Sequence, residues 1–479
     1  MEPLGLLYIK TALESHGNDV DIYDATASGK VKKIKTPPEF KHLDKYYEKD
    51  FSPFSLHNGY KRFGDSFKKI IQFCENGNYD IIGISSLFSA YHPDVEKLAS
   101  EIKKASRSTL VIGGAAVNSL SETAVKKSAA DYMISGCGTV SMPLFVQFLL
   151  KNLDASKVPG LIYEKNRQIY RNKPSKDPPW KGNIVPIRES FRTFRKKTVA
   201  KTIFSSGCKN KCVFCSIHRE NSFEQRGIES IRDELDYLFK AGAEIIDIED
   251  DDIFGSDCYS LKLLDLLEDF HKKGFAFTAM NGLTARNILP IIDKFPKAGF
   301  FKLDLSLVTT SQSASEKMKR PHDISDIMEI VKAVKGKMDV EVYLIPGLPG
   351  TSLMETAETM KILYKNNIKC GLSPLYPVPG VPLFEKTGIP ENLNLCRGTA
   401  LYTFKNDVRD NIVSLLKISR FLNYSQVAEN NDLYRTNLFY FLKSLQRRQW
   451  FKKTQDNKWL DSFSFSEKFA DIFDDLFLD

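Results

Sequence analysis

No apolar run in this 479-residue chain approaches the roughly 18 to 20 residues that cross a bilayer, which excludes a helical membrane protein. A secretory leader is not expected either. The opening MEPLGLLYIKTALESHGNDV has Glu2 ahead of a very short apolar run and Lys10 inside it, the wrong charge order and the wrong length. A cytoplasmic location is the expectation. Cysteine is thin, 8 residues, and Cys74, Cys137, Cys258, Cys370 and Cys396 stand singly. In a reducing compartment such residues are mostly small buried hydrophobes, and a disulfide scaffold is excluded. There is no strong charge bias: the net charge of +8 is mildly basic, that of a lysine-rich solvated surface, and a nucleic-acid partner is not expected. With 42% hydrophobic and 27% charged residues the composition is that of an ordinary globular protein.

The length suits about two to four domains at roughly 100 to 200 residues each. Over residues 1–150 helix-period and strand-period patterns alternate. LLYIKTALESHG reads as an amphipathic helix, DVDIYDA as a strand, YDIIGISSLFSA as a buried strand, HPDVEKLASEIKKA as a helix and TLVIGGAA as a strand stopping at paired glycines. SAADYMISGCG and VSMPLFVQFLLKNL repeat the plan. Such alternation predicts a Rossmann-like parallel sheet whose ligand-facing loops lie at the strand carboxyl ends, here 85–91, 113–118 and 136–140. The loop glycines Gly113, Gly114, Gly136 and Gly138 allow close backbone approach. The polar insertion KVKKIKTPPEFKHLDKYYEKDFSPF has no periodicity and reads as a surface excursion.

Residues 151–197 read as a linker, with GLIYEKNRQIYRN alternating like a small hairpin. From 198 to 395 six strand-helix units follow, their strands near AKTIFSS, AEIIDIED, GFAFTAMNG, FKLDLSLV, DVEVYLIPG and GLSPLYPV. Six successive units predict a partial (β/α)6 barrel with its active site on the loops at the strand carboxyl ends. Residues 396–479 read as a small C-terminal helical or winged-helix-like domain. Its helix NDVRDNIVSLLKISRFL, short helix SQVAENN, helix RTNLFYFLKSLQRR and hairpin WFKKTQDNKWL suit a helical cap on the barrel or a partner-binding winged helix. Nucleic acid is the third option, with Arg435, Lys443, Arg447 and Arg448 on or near the third helix.

Three cysteines remain, Cys208, Cys212 and Cys215, in the loop after the first barrel strand. Structural zinc wants four ligands, and His218 could be the fourth. A four-iron four-sulfur cluster held by three thiolates leaves one iron open to bind a small ligand. The spacing Cys-x-x-x-Cys-x-x-Cys, with Phe214 before the last cysteine, resembles the signature of radical S-adenosylmethionine enzymes. In that family the open iron chelates the methionyl amine and carboxylate, and an electron from the cluster cleaves the sulfonium to a 5′-deoxyadenosyl radical. The resemblance implies further sites. Glu249 or Asp250, in IEDDDIF at the end of the second strand, would bind the methionyl amine. Asn281 and Ser306 would lie near the ribose and carboxylate, and Ile345 and Gly347 of IPGLPG beside the adenine, although glycines there equally suit a strand-to-helix turn.

The order of EPLGLLYIKTALESHGNDVDIYDA, IIGISSLFSAY, TLVIGGAAVNSLSE and DYMISGCG also resembles the cobalamin-binding domains fused ahead of such barrels, and VPGLIYE and YPVPGVPLFEK match the linker and sixth-strand segments of that family. This implies cobalamin near Ser85, Ser86, Gly113, Gly114, Gly136 and Gly138. Two features depart from the pattern: the chain opens on the helix that should follow the first strand, and no Asp-x-His-x-x-Gly supplies a histidine for cobalt. His92, ahead of Pro93, reads as a helix-entry residue. The implied activity is cobalamin-dependent methylation of an unactivated carbon, on a small molecule or a peptide or protein, with a reductant such as flavodoxin or ferredoxin. The alternatives are a non-methylating member catalysing cyclisation or rearrangement and, from another class, a zinc-containing nucleic-acid-binding protein. A transfer-RNA methylthiotransferase is disfavoured, since that family's extra cysteine trio is missing from the N-terminal domain.

Overall fold

The computed structural model describes residues 2–47, 59–194, 196–217, 223–255, 257–320, 324–385 and 388–429, with Phe469 and Ile472. In chain order its strands are Val31–Lys33 (β1), Lys61–Phe63 (β2), Ile81–Ser85 (β3), Thr109–Gly113 (β4), Tyr132–Ile134 (β5), Leu161–Lys165 (β6), Gln168–Arg171 (β7), Arg192–Phe194 (β8), Lys197–Thr202 (β9), Ser205–Ser206 (β10), Glu224–Gln225 (β11), Ile245–Ile248 (β12), Ala276–Ala279 (β13), Lys302–Val308 (β14), Asp339–Leu344 (β15) and Lys369–Leu372 (β16). The fold is mixed α/β, with parallel sheets at its centre.

The first sheet runs β3-β4-β5-β6-β7. Its parallel part, β3 to β5, is covered on both faces. Leu110 and Ile112 pack with Ala99 and Ile102 of helix His92–Ala105, while Val111 and Ile134 pack with Phe145 of helix Gly138–Leu149. Two-sided burial is why TLVIG reads as a continuous apolar run. The hairpin expected inside the linker forms as β6 and β7, but it belongs to this sheet. Met133 pairs with Ile162 and Ile134 with Leu161, antiparallel, so the hairpin saturates the open edge of β5. Residues 19–25, expected as a strand, make no ladder. Tyr23 instead packs its ring on Phe73 at 4.8 Å and donates its hydroxyl to Asp65 at 2.7 Å.

The second half contains six parallel strands in chain order. β9, β12 and β13 form one sheet, with β8 antiparallel at its edge, and β14, β15 and β16 form another. Isolated parallel bridges Phe277 to Phe300 and Leu283 to Leu305 link the two across β13 and β14. Alternation along the strands separates two faces. Ala200, Ile246, Ile248, Phe277, Leu303, Leu305 and Val342 join the large core with helices Ile228–Lys240 and Cys258–Lys273. The other face carries Lys201, Asp247, Thr278, Lys302, Asp304, Glu341 and Tyr343.

Two further expectations are corrected. The insertion is not a mere excursion: Phe40 and Leu43 are buried against Leu395, Leu401, Phe404 and Ile412, and His42 Nε2 lies 2.7 Å from the Ala400 carbonyl. The segment after the last strand forms one helix, Asn406–Glu429, which runs through the start of the supposed separate helix SQVAENN. Nothing between 406 and 429 is glycine or proline, so no local signal breaks it. The winged-helix elements expected beyond it, with Arg435, Lys443, Arg447 and Arg448, lie outside the described residues. Among the described residues no helix is long and apolar enough to cross a membrane.

Candidate active site

The cysteine loop leaves β10, whose antiparallel pairing with β11 closes its base. Cys212 is buried, while Cys208 and Cys215 are half-buried. The loop is pinned from two sides, Val213 donating to the Met318 carbonyl and Leu383 to that of Val213, both at 3.1 Å. Arg320 Nη1 lies 3.5 Å from Cys212 Sγ. Burial pushes the Cys208 thiol up to about 11 and raises Cys215 as well, so both are held toward the protonated form. Phe214 packs into the apolar cluster beneath the loop, with Leu383 and Ile345. His218 lies outside the described residues. Of the single cysteines, Cys74, Cys370 and Cys396 are buried as expected, whereas Cys258 is exposed and Cys137 intermediate.

The four acids after β12 separate into distinct roles. Glu249 faces a cavity and pairs with Lys201 Nζ, which also lies 3.3 Å from Asp247. Asp250 turns toward the chain itself, accepting from Phe204 N–H at 2.9 Å and from the Ser205 hydroxyl. Burial outweighs those bonds and pushes its carboxyl up to about 7. Asp251, on the cavity wall, is pushed up to about 6 by burial and by the neighbouring Asp252. Asp252 gathers donors from both sides of the loop: Thr284 Oγ1 at 2.7 Å, Asn210 Nδ2 at 2.9 Å and Asn287 Nδ2 at 3.2 Å. Since Asn210 sits between Cys208 and Cys212, Asp252 fixes the cysteine loop to the end of the third strand.

Asn281 donates through Nδ2 to the Glu249 carbonyl at 2.7 Å. A Cβ on Gly282 would come within 3.2 Å of Ser306 Cβ, which sets Ser306 beside the residue that follows Asn281. Ile345 donates its N–H to the Val308 carbonyl at 2.9 Å. Gly347 has φ +88, and a Cβ there would meet the Phe404 ring at 2.3 Å. That glycine is explained by the ring packed on it.

The cavity has a volume of about 870 Å³ and lies between the two halves of the molecule. Residues 87–91 and 115–119 of the first sheet's loops face Ser205, Ser206, Gly207, Ser216 and Glu249 on the other side, and residues 372–379 close the end. Leu87, Phe88 and Tyr91 leave large apolar surfaces exposed toward it. Arg397 ties this rim together, with its guanidinium 4.6 Å from the Tyr91 ring and 5.2 Å from Phe40, and Nη2 donating to the Ala90 carbonyl at 2.8 Å.

Two of the three expected loops therefore converge, and the third does not. A Cβ on Gly136 would meet Pro174 at 2.7 Å, and one on Gly138 would meet Ile9 at 2.6 Å, so both glycines face packed chain. Within the converging loops the wall begins one residue or more after those nominated. Ser85, Ser86, Gly113 and Gly114 stand behind it. Gly114, at φ +106, is required because a Cβ would come 2.6 Å from the Ser86 carbonyl oxygen. Ser86 Oγ and His92 Nδ1 are 3.0 Å apart, and His92 Nε2 lies 3.2 Å from Glu96, so His92 serves the helix start. The sequence reading missed Lys201, Asn210, Asp252 and Arg397. Only Lys201 carries a local signal, a lone cation inside the apolar strand TVAKTIF.

Comparison with known proteins sets the class. Residues 202–363 match the Radical SAM superfamily, and the chain carries a radical S-adenosylmethionine domain. Its likeness to known proteins extends beyond that domain. It is 22% identical over 417 residues, 78% of this chain and 74% of the relative, to cytidylyl-2-hydroxyethylphosphonate methyltransferase of Streptomyces wedmorensis. It is 26% identical over 246 residues to tRNA-2-methylthio-N(6)-dimethylallyladenosine synthase of Buchnera aphidicola, spanning 47% of this chain and about half, 54%, of that one. In fold it is similar to the methyltransferase TsrM from Kitasatospora setae, solved with cobalamin and a [4Fe-4S] cluster bound, at TM-score 0.61, 15% identity, 80% of this chain and 71% of that one. The cobalamin-dependent radical enzyme OxsB, solved with aqua-cobalamin and S-adenosylmethionine, aligns at TM-score 0.58 and 13% identity over 81% of this chain and 65% of its own.

Proposed function

We propose that this protein is a cobalamin-dependent radical S-adenosylmethionine methyltransferase acting on an unactivated carbon, and that the six parallel strands are a partial (β/α)6 barrel. The observation that carries the reading is the cavity, which the loops following β3 and β4 and the cysteine and acidic loops line from opposite sides. The donor set suits the cofactors. Thiolates of an iron-sulfur cluster each hold a separate iron. The Leu87, Phe88 and Tyr91 surfaces suit the apolar face of a corrin.

When bound, the cluster and S-adenosylmethionine supply the radical chemistry and cobalamin supplies a methyl group. The chain positions and shields. Cys208, Cys212 and Cys215 hold the cluster, and Arg320 places positive charge beside Cys212. Glu249 offers a carboxylate to an ammonium, with Asn281 fixing its backbone. Asp250 holds the strand end in place. The substrate is a small molecule or a peptide or protein, the electron donor a flavodoxin- or ferredoxin-like protein, and the location cytoplasmic.

Anaerobically reconstituted protein should be brown, bind cobalamin and convert S-adenosylmethionine to 5′-deoxyadenosine, with S-adenosylhomocysteine appearing beside it on methyl transfer. Cys208→Ala, Cys212→Ala and Cys215→Ala should each lose the iron and the cleavage, whereas Cys258→Ala should keep both. Stoichiometric zinc without iron would overturn the radical reading. Intact cleavage without cobalamin binding would overturn methylation alone.

A further inference from the structure

The ribbon formed by β1 and β2 differs from the rest of the surface. Its register sets Lys32 opposite Arg62 and Lys33 opposite Lys61, two cross-strand pairs of like charge. Like charges directly opposite destabilise a strand pair, so this arrangement works against its own folding. None of the four side chains has an acidic partner among the described residues, and Arg62 Nε is buried with no hydrogen-bond acceptor. Lys30 and Lys35 extend the charge along one strand. At the ribbon's end Val31 pairs with Phe63, and these are 54% and 67% exposed. Alternation puts Val31, Phe63, Lys33 and Lys61 on one face.

A flat aromatic ring next to uncompensated cations has a specific chemical complement. Three-residue strands make a strip about 10 Å long, far short of the ~800 Å² per partner that a stable protein interface buries. Two apolar side chains also offer too little area to hold the chain on a bilayer. One or two nucleotides of a single strand do fit, with a base stacked on the ring and phosphates on the flanking cations. We propose that this ribbon is a contact for single-stranded nucleic acid, in which Phe63 stacks on a base while Lys33 and Lys61, backed by Lys32 and Arg62, take the adjoining phosphates. The bound phosphates relieve the repulsion that the ribbon carries alone. Sequence reading could not reach this, because the two cation sets lie some thirty positions apart and only strand pairing opposes them.

The test is fluorescence anisotropy of a labelled single-stranded RNA oligonucleotide, and its DNA counterpart, with the full chain and no S-adenosylmethionine, so the result is independent of the proposed chemistry. Binding by either probe should weaken with salt. The Lys33→Glu/Lys61→Glu double variant should weaken it by at least about tenfold and reduce the slope of log K against log salt by about 1.4, two phosphates at ~0.7 each. Phe63→Ala should weaken binding by about tenfold with the slope unchanged. Every substituted side chain is exposed, and circular dichroism verifies the fold. Equal binding by wild type and the double variant overturns the proposal, as does a Phe63→Ala variant that binds normally. Poly-glutamate competing as well as RNA overturns it in favour of an acidic protein partner.

Discussion

Asp252 shows how one carboxylate can organise a loop that it does not belong to. Its oxygens accept from Thr284, Asn210 and Asn287, and Asn210 lies between two of the three cysteines. Asp252→Ala leaves those donors without their acceptor and frees the loop. On the proposed reading a chelator should then strip iron about ten- to a hundredfold more readily, the scale of losses when partners of metal ligands are removed. Iron release followed by absorbance measures this, and an unchanged rate would show that the loop holds its shape without Asp252. Asp250 makes a separate, pH-dependent prediction. In the unfolded chain it ionises near 3.8, in the fold near 7. Between those values the folded state holds the extra proton, so stability falls as pH rises from about 4 to about 7, by on the order of 4 kcal/mol. Asp251, also raised, adds to the same trend. Urea midpoints across that range should fall less steeply in Asp250→Asn, and an identical slope would assign the trend to other groups. At this scale the sequence was legible where residue type nominates a chemistry, as the trio Cys208, Cys212 and Cys215 does on the proposed reading. It was silent where a residue acts through a distant partner, since nothing in IEDDDIF separates Glu249, paired with Lys201, from Asp250, bound to the Phe204 N–H.

Helix Asn406–Glu429 covers the free edge of β16, and it does so with side chains rather than another strand. Asn423 Oδ1 accepts from Cys370 N–H at 2.8 Å, its Nδ2 donates to the Cys370 carbonyl at 2.9 Å, and the Ser419 hydroxyl donates to the same oxygen. An edge strand is thereby satisfied and closed to intermolecular pairing. Asn423→Ala should cost about 1 to 3 kcal/mol, the penalty of an unsatisfied buried backbone group. Chemical denaturation measures the loss, and a change below a few tenths of a kcal/mol would mean the edge is held by packing alone. The helix itself follows from local pattern, as do helices His92–Ala105, Ile228–Lys240 and Leu353–Lys365, because their apolar spacing is written over one stretch of chain. The strand expected at 19–25 failed for the opposite reason. A strand exists only if a neighbour takes up its hydrogen bonds, and local alternation does not name that neighbour.

The two halves of the molecule are joined by a buried ionic clamp. Arg188 donates through Nε to Glu2 at 2.8 Å and through Nη2 to the Lys201 carbonyl, and Nη2 lies 3.7 Å from Glu234. Glu2 in turn accepts from Lys201 N–H at 2.8 Å. This fastens the segment preceding helix Leu4–Glu14 to β9, the first of the six parallel strands. Arg188→Ala would leave Glu2 as an uncompensated buried charge, Glu234 keeping its own ion pair with Arg226, with an expected loss of about 3 to 5 kcal/mol. A Glu2→Gln/Arg188→Met double variant should recover part of that loss, and a single variant as stable as wild type would show that water replaces the guanidinium. The sequence by itself determined the alternation of strands and helices, the position of the cysteine trio after a strand and the apolar helix faces, because each is a periodicity or spacing inside one continuous segment. Only the tertiary structure decided that the insertion packs on the segment after the last strand, that two of the three strand-end loops reach the cavity, that Glu249 meets Lys201, and that two sets of cations oppose each other on one ribbon. Those are contacts between segments distant in the chain, and they are fixed by which surfaces can be buried together, a condition that no local pattern encodes.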